Sequence, residues 1–414
     1  MRYHLPLALV ATTATALAQV AVGDIGAVGF STNAFGIATP PAVTGYTTTG
    51  FLGTGAGTSQ SILHDPTTFL DFLVGGFGFV GRATITGPGT ATYTLLTNGI
   101  NTAAQMSWDF AGNVIVADAG TDQVRSVSPG GVVTDLSVGP QPWGTSVNAG
   151  AFEPATGDVI VGNNAGIYRL VNGTQTGVPI ATGLGGFVSA VAFDPITGDI
   201  LATVLTANRL VRVTAAGAVT NLAPPGFVTG PNALDVDRDG NWLVGGAAGQ
   251  IFRTTYSGQT TLLATNTSPG TNVAGLSAVK VGGFAGPFGQ PCGATSGPAW
   301  LTATGPYAAG STFTTTSINH QPFAVGLWIV GLSNTTWNGL PLPLPLDAIL
   351  GTANCQLLVS PDATAVAVAD AAGTMSFSLV APAAFSGFRI FVQHAGLEAV
   401  PGGLSFSNGV GIQF

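Results

Sequence analysis

Short apolar runs alternate with Gly- and Asp-bearing turns along most of this chain, and the alternation is itself repeated. Residues 106–117 read Met-Ser-Trp-Asp-Phe-Ala-Gly-Asn-Val-Ile-Val-Ala, and residues 150–161 read Gly-Ala-Phe-Glu-Pro-Ala-Thr-Gly-Asp-Val-Ile-Val. Residues 191–202 and 234–244 follow the same plan, and 62–66 give a weaker copy. Each copy is an apolar strand, an acidic turn and a second apolar strand, too short and too often broken by Gly for helices. Taking the acidic turn residue as an anchor gives Asp65, Asp109, Glu153, Asp194 and Asp237, spaced 44, 44, 41 and 43 residues apart. One more step of 43 lands on Lys280, inside the apolar stretch 276–281.

A second mark keeps the register. Sixteen to eighteen residues after the anchors stand Arg82, Arg125, Arg169, Arg212 and Arg253, each beside apolar residues. They read as one repeated structural position, hydrogen-bonded to nearby acids. A Thr-rich or apolar fourth strand follows, so each unit is a four-stranded meander of about 42 residues, the size of a β-propeller blade. Residues just before the anchors are mostly large (His64, Trp108, Phe152, Phe193), and those two before are mostly small (Ser107, Ala151, Ala192). Side chains alternate across a strand, so a large face can pack on the small face of its neighbour. His64 falls at one of the large positions and reads as a packed core histidine.

Five complete units run from about residue 61 to 272, and the strand near 276–281 lacks the other three. Upstream, 25–30, 35–39 and 44–51 are β-like stretches placed where the missing strands belong. The expected fold is therefore all-β: a six-bladed propeller whose N-terminal strands complete the last blade and leave no open edge. Ile37 stands where the other units carry arginine, and a separate seventh blade is the alternative.

Residues 112–130, Gly-Asn-Val-Ile-Val-Ala-Asp-Ala-Gly-Thr-Asp-Gln-Val-Arg-Ser-Val-Ser-Pro-Gly, resemble the NHL-repeat pattern and, more broadly, the six-bladed SMP-30/gluconolactonase-like propellers. The resemblance covers roughly residues 20–283, within a propeller domain of residues 19–283, and is specific for fold rather than activity, since this architecture hosts lactonases, lyases and pure binding modules.

Beyond it, 284–291 is rich in Gly and Pro and reads as a linker. Residues 292–414 show shorter alternating stretches at 311–318, 323–332, 356–360, 374–379, 387–393 and 404–414, which predict a small β-sandwich. Residues 337–347 and 355–362 resemble a C-terminal module of secreted bacterial proteins, which implies an accessory, surface-associated domain.

Composition narrows the function classes. Only 7 % of the 414 residues are charged, Gly numbers 61, and the formal net charge is −8. No basic cluster exists, which argues against a nucleic-acid partner. Mean hydropathy is +0.46, yet no apolar run approaches the ~20 residues of a membrane-spanning helix. Residues 1–18 combine Arg2, an apolar stretch and Ala16-Leu17-Ala18, and read as a signal peptide cleaved before Gln19. The expected location is secreted or at the cell surface, where the only two cysteines, Cys292 and Cys355, form one disulfide.

Candidate chemistry is sparse. No paired-His metal motif, phosphate loop or nucleophile elbow is present. The propeller axis is the one place to look, with Gln60, Asn148, Ser189, Asn232 and Asp235 near the starts of inner strands. Asn148, Asn232 and Asp235 offer the hard oxygens that Ca²⁺ accepts, and Asn232-Ala-Leu-Asp235 looks like part of the metal site of the resembled lactonases. No glutamate occupies the equivalent place, so asparagines capping turns are the alternative account. The expectation is thus a monomeric, non-enzymatic binding or scaffold propeller without a cofactor, whose partner is an extracellular ligand, protein or glycan. The competing expectation is an SMP-30-like metal-dependent lactone hydrolase or lyase acting at the axis.

Overall fold

The computed structural model describes residues 25–29, 35–38 and 59–414. Excluded within the last span are 66–69, 88–89, 110, 154–155, 195–197, 224–227, 257, 266–271, 280–283, 293–296, 306, 309, 352–353, 383–387 and 399–402. The signal-peptide residues and the stretch 44–51 lie outside the described residues. The chain divides into two compact units, one made of most residues before Gly282 and the other built on the residues from there to Phe414, with which Arg238–Asn241 are grouped.

The first unit is a β-propeller. Its sheets are up-and-down antiparallel meanders whose inner strands are Ser59–His64, Ala103–Trp108, Ala149–Phe152, Val188–Phe193 and Ala233–Val236. These begin blades one to five, each of four strands. The closing sheet has Val273–Ala278 innermost, followed by Ile25–Gly29 and Phe35–Ala38. Each inner strand lies beside the next around a closed ring, and Val273–Ala278 returns to Ser59–His64. N-terminal strands thus complete the sheet begun by the last strand of the unit, and the pairing replaces two exposed edges with one continuous ladder.

The anchor spacing is corrected at this closure. Ala278 pairs with Ile25 as Trp108 does with Val114 and Phe152 with Val159. The place equivalent to the anchor is therefore Val279, one residue before Lys280, and Lys280 itself lies outside the described residues.

Register also divides the five arginines. Cross-strand rows run Leu73–Arg82–Thr94, Ile160–Arg169–Val178, Leu201–Arg212–Thr220 and Leu243–Arg253–Thr261. The equivalent row of blade two is Ile115–Ser126–Thr134. Arg125 stands one residue out of register, and a shift of one turns a strand side chain to the opposite face. There it reaches Asp118, whose carboxylate is wholly buried, at 3.0 Å, and Asp135 at 2.9 Å. A buried carboxylate without a cation is costly, so Asp118 accounts for the displaced arginine. In the closing sheet Ile37 occupies the arginine row, opposite Gly26.

Blades pack through aliphatic side chains with small residues at the tightest approaches. A Cβ on Gly162 would lie 2.4 Å from Val188 Cγ1, and one on Gly245 would lie 2.5 Å from Val273 Cγ1. In blades three and five the second strand ends in glycine there, because the next inner strand starts against it.

The second unit has a sheet ordered Phe284–Phe288, Gly409–Gln413, Arg389–Leu397, Val325–Gly331 and Ala363–Val368, with Leu404–Phe406 also on Arg389–Leu397. A three-stranded sheet of Trp300–Thr304, Thr312–Ile318 and Met375–Val380 shares its core, with Leu301, Ala303 and Phe313 meeting Trp328, Val392 and Ile412. The expected linker is overturned in part: Phe284–Phe288 is a strand paired with Gly409–Gln413. It lies at the sheet edge, the place in a sheet where proline is tolerated. Cys292 and Cys355 form a disulfide with a Cα–Cα distance of 5.2 Å.

Candidate functional site

Inner strands of a propeller expose one backbone edge to the axis, and every N–H and C=O on that edge needs a partner. The sequence places its candidates near the points where these strands begin. Four inner strands carry a β-bulge there, skipping Gln60, Ala104, Ser189 and Ala274 in the pairing. Asn148 and Asn232 sit just before their strands and donate their N–H groups to Gly162 O and Gly245 O at 3.2 and 2.8 Å. The five predicted axis residues therefore share a backbone position, the irregular start of an inner strand, apart from Asp235 three residues further on.

Their polar atoms are largely engaged by the propeller itself. Ser189 is buried, and its hydroxyl donates to Pro231 O at 2.7 Å, tying its blade to the next. The Asn148 amide donates to Ser146 O at 2.6 Å, which closes a local turn. Asp235 Oδ1 accepts from Val236 N and Oδ2 from Ala278 N, both at 2.7 Å. The second bond crosses to the closing sheet. Ser107 and Ser277 repeat this cross-blade bond, accepting from Phe152 N and His64 N at 2.9 Å. Of the ligand set expected of Asn148, Asn232 and Asp235, the Asn148 amide thus closes a turn and the Asp235 carboxylate braces two blades.

Sequence reasoning missed a residue that bridges the inner strands of three blades. Gln105, on the inner strand of blade two, accepts from Gly150 N at 3.1 Å and from Val191 N at 3.1 Å. Its Nε2 donates to Val191 O at 2.6 Å. One amide thereby joins the inner strands of blades two, three and four, bridging 86 residues of sequence. Nothing in the repeat pattern marks it, because other units do not carry glutamine at that place.

The arginines in register serve the anchors. Arg82 bonds Asp65 and Asp71 at 2.7 and 3.1 Å, Arg169 bonds Glu153 and Asp158, Arg212 bonds Asp194 at 3.1 Å, and Arg253 bonds Asp237 at 3.0 Å. Burial alone would lower the Arg212 pKa, but Tyr256, Asp194 and Asp199 raise it above the ordinary value. Burial would likewise raise the Asp158 pKa, yet the Asn172 N–H and the Arg169 guanidinium hold it below the usual range. His64 is buried and packs edge-on against Phe72 at 5.1 Å, as its repeat position implies.

The second unit gathers residues that lie far apart in sequence. Ser317 Oγ lies 2.6 Å from His320 Nε2, and His320 Nδ1 lies 2.6 Å from Glu398 Oε1, which also accepts from Ser405 Oγ at 2.7 Å. The order serine, histidine, carboxylate has the form of a nucleophilic relay. Ser317 and His320 are 0 % and 1 % exposed, however, so no substrate carbonyl reaches the hydroxyl. The ring of His394 lies 4.6 Å from that of His320 and 5.0 Å from that of Trp328. Burial, reinforced by the neighbouring His320 and opposed by Glu398, pushes the His394 pKa down to about 3. Among the described residues, no three His, Cys, Asp or Glu side chains are grouped so that they could hold a metal ion.

Comparison with family models and with curated proteins gives no match. Solved structures similar to this chain include that of a nidogen/laminin complex, with 13 % identity over 61 % of this chain and 97 % of that one, at a TM-score of 0.51. Also similar are the WD40 β-propeller domain of Doa1 (12 % identity, 61 % and 82 % covered, TM-score 0.45) and an auxiliary nutrient-binding protein from Bacteroides thetaiotaomicron (12 %, 58 % and 64 %, 0.41). At such identity the likeness to the nidogen/laminin structure speaks to fold alone.

Proposed function

We propose that this chain is an exported binding or scaffold propeller, joined to an accessory β-sandwich that associates it with a surface. The observation that carries this reading is the use made of polar atoms at the axis. Gln105 bridges three inner strands there, and Asp235 and Ser189 tie adjacent blades, so these polar groups brace the ring. A rigid ring is a good platform for recognition, because little conformational entropy is lost when a partner docks. Export is supported by the Cys292–Cys355 disulfide, which persists in oxidising compartments. The partner remains of the class read from the sequence, an extracellular ligand, protein or glycan.

Calorimetric titration of Ca²⁺ and Zn²⁺ into the purified chain tests this against the hydrolase reading. No heat beyond dilution is expected. Tight binding that disappears in Asn232→Ala or Asp235→Ala overturns the proposal and restores a metal-dependent hydrolase or lyase at the axis.

A further inference from the structure

The blade whose arginine is out of register has an open groove. A cavity of about 490 Å³ lies between blades two and three. Ile115, Ser126 and Thr134, the row that carries arginine in four other blades, form part of one wall, with Asp109 at its end. Phe152, Val159 and Leu170 of blade three line the other.

The same fold position elsewhere in the molecule shows what fits such a groove. In blade four the guanidinium of Arg212 bonds the anchor Asp194. It also lies 5.7 Å from the Trp242 ring centre and 4.7 Å from that of Tyr256. Acid on one side and aromatic on the other is the environment a guanidinium favours. In blade two the anchor Asp109 has only neutral donors among the described residues. Its Oδ1 accepts from Ala111 N and Asn113 N, and its Oδ2 from Asn113 Nδ2, all at 2.8 Å. Carboxylate oxygens accept more than these bonds. The groove keeps the acid of the blade-four position and lacks the cation; Val159 stands at the place of Trp242, and the aromatic on the opposite wall is instead Phe152, at the place of Val236.

We infer that the groove between blades two and three is a binding site for an alkylguanidinium group, which takes the place left by the displaced Arg125. The planar head meets Asp109, and the apolar stem lies against Ile115, Phe152 and Leu170. Arginine side chains of a peptide and free alkylguanidines share this chemistry.

Calorimetry at low salt with butylguanidinium, its neutral isostere butylurea and Nα-acetylarginine amide tests the assignment on the full chain. Butylguanidinium is expected to bind saturably with a Kd on the order of a millimolar, as suits so small a ligand. Butylurea is expected to bind at least about tenfold more weakly, since the charge-assisted bonds are lost. Asp109→Asn is expected to abolish the preference for the cation. Ser126→Arg, which restores the residue found in the other blades, is expected to fold with an unchanged or raised Tm and to block the groove. Binding of the arginine amide at least as tight as that of butylguanidinium assigns the site to peptide arginine, and binding of butylguanidinium alone assigns it to a small molecule. The inference is overturned by absence of saturable binding up to about ten millimolar, by equal binding of butylurea, or by binding that survives in folded Ser126→Arg.

Discussion

Single residues in this protein matter most where they satisfy groups that the fold leaves exposed. Gln105 is the clearest case, with one amide holding backbone groups of two other blades. Gln105→Met keeps the length of the side chain and removes its polar atoms. Urea unfolding of this variant is expected to show a loss of about 1–3 kcal/mol, the cost of leaving backbone donors and acceptors without partners, with an unchanged m-value. His394 gives the opposite case, a polar ring inside an apolar and aromatic cluster. Its folded pKa of about 3 lies far below the ordinary histidine value. Between about pH 6.5 and 3 the unfolded chain takes up a proton that the native ring refuses, so stability falls as pH falls through that window. The slope from this one group approaches about 1.4 kcal/mol per pH unit. Thermal unfolding of the second unit is therefore expected to be flat in this term above pH 6.5 and to drop below it. His394→Phe is expected to remove most of that slope; an unaltered slope would exclude His394 as its source.

At the level of strands and sheets, period-two patterning carried most of the information. Strands such as Ile160 in its apolar run, or Thr312–Ile318, lie where alternation and Gly turns place them. What the pattern misjudged has identifiable causes. Arg125 keeps the spacing of the repeat but not its register, because turn length and strand register can change together while the count stays near sixteen. Only the pairing of Val116 with Arg125, where other blades pair the arginine with the residue equivalent to Ile115, shows the shift. Phe284–Phe288 was hidden by Gly286 and Pro287, which suit an edge strand as well as a linker. Close sheet packing also leaves a testable demand. Gly162→Ala places a Cβ 2.4 Å from Val188 Cγ1 and 2.9 Å from the Ala149 Cβ, neither of which can swing away. Equilibrium denaturation is expected to show a loss of about 1–3 kcal/mol, recovered in part by adding Val188→Ala, which removes the 2.4 Å contact and leaves that with the Ala149 Cβ. Additive losses in the double variant would show that the clash is not the cause.

For the whole first unit, closure is the governing event. The ring needs Ile25–Gly29 and Phe35–Ala38 from one end of the repeat array to pair with Val273–Ala278 from the other. A chain beginning at Ser59 retains every blade-one to blade-five strand but leaves the closing sheet a single strand with an open edge. Such a chain is expected to lose cooperative unfolding of the propeller and to associate, as read by a broadened urea transition and by light scattering. A sharp transition at the wild-type midpoint would show that ring closure contributes little to stability.

The amino-acid sequence by itself determined the all-β class, the blade length, the place of the anchor acids and the pairing of the only two cysteines. These follow from local alternation, turn chemistry and composition, which act within a few residues or by simple count. Tertiary structure decided which polar groups are available. Gln105 and Gly150 meet only because the ring brings separate blades to one axis, and Ser317, His320 and Glu398 meet only because strands far apart in sequence share a core. The open groove beside Asp109 likewise depends on a one-residue register choice, set by the need of buried Asp118 for a cation on the opposite face of the sheet. Register and closure are settled by long-range packing and by the satisfaction of buried groups, and a repeat length read along the chain is blind to both.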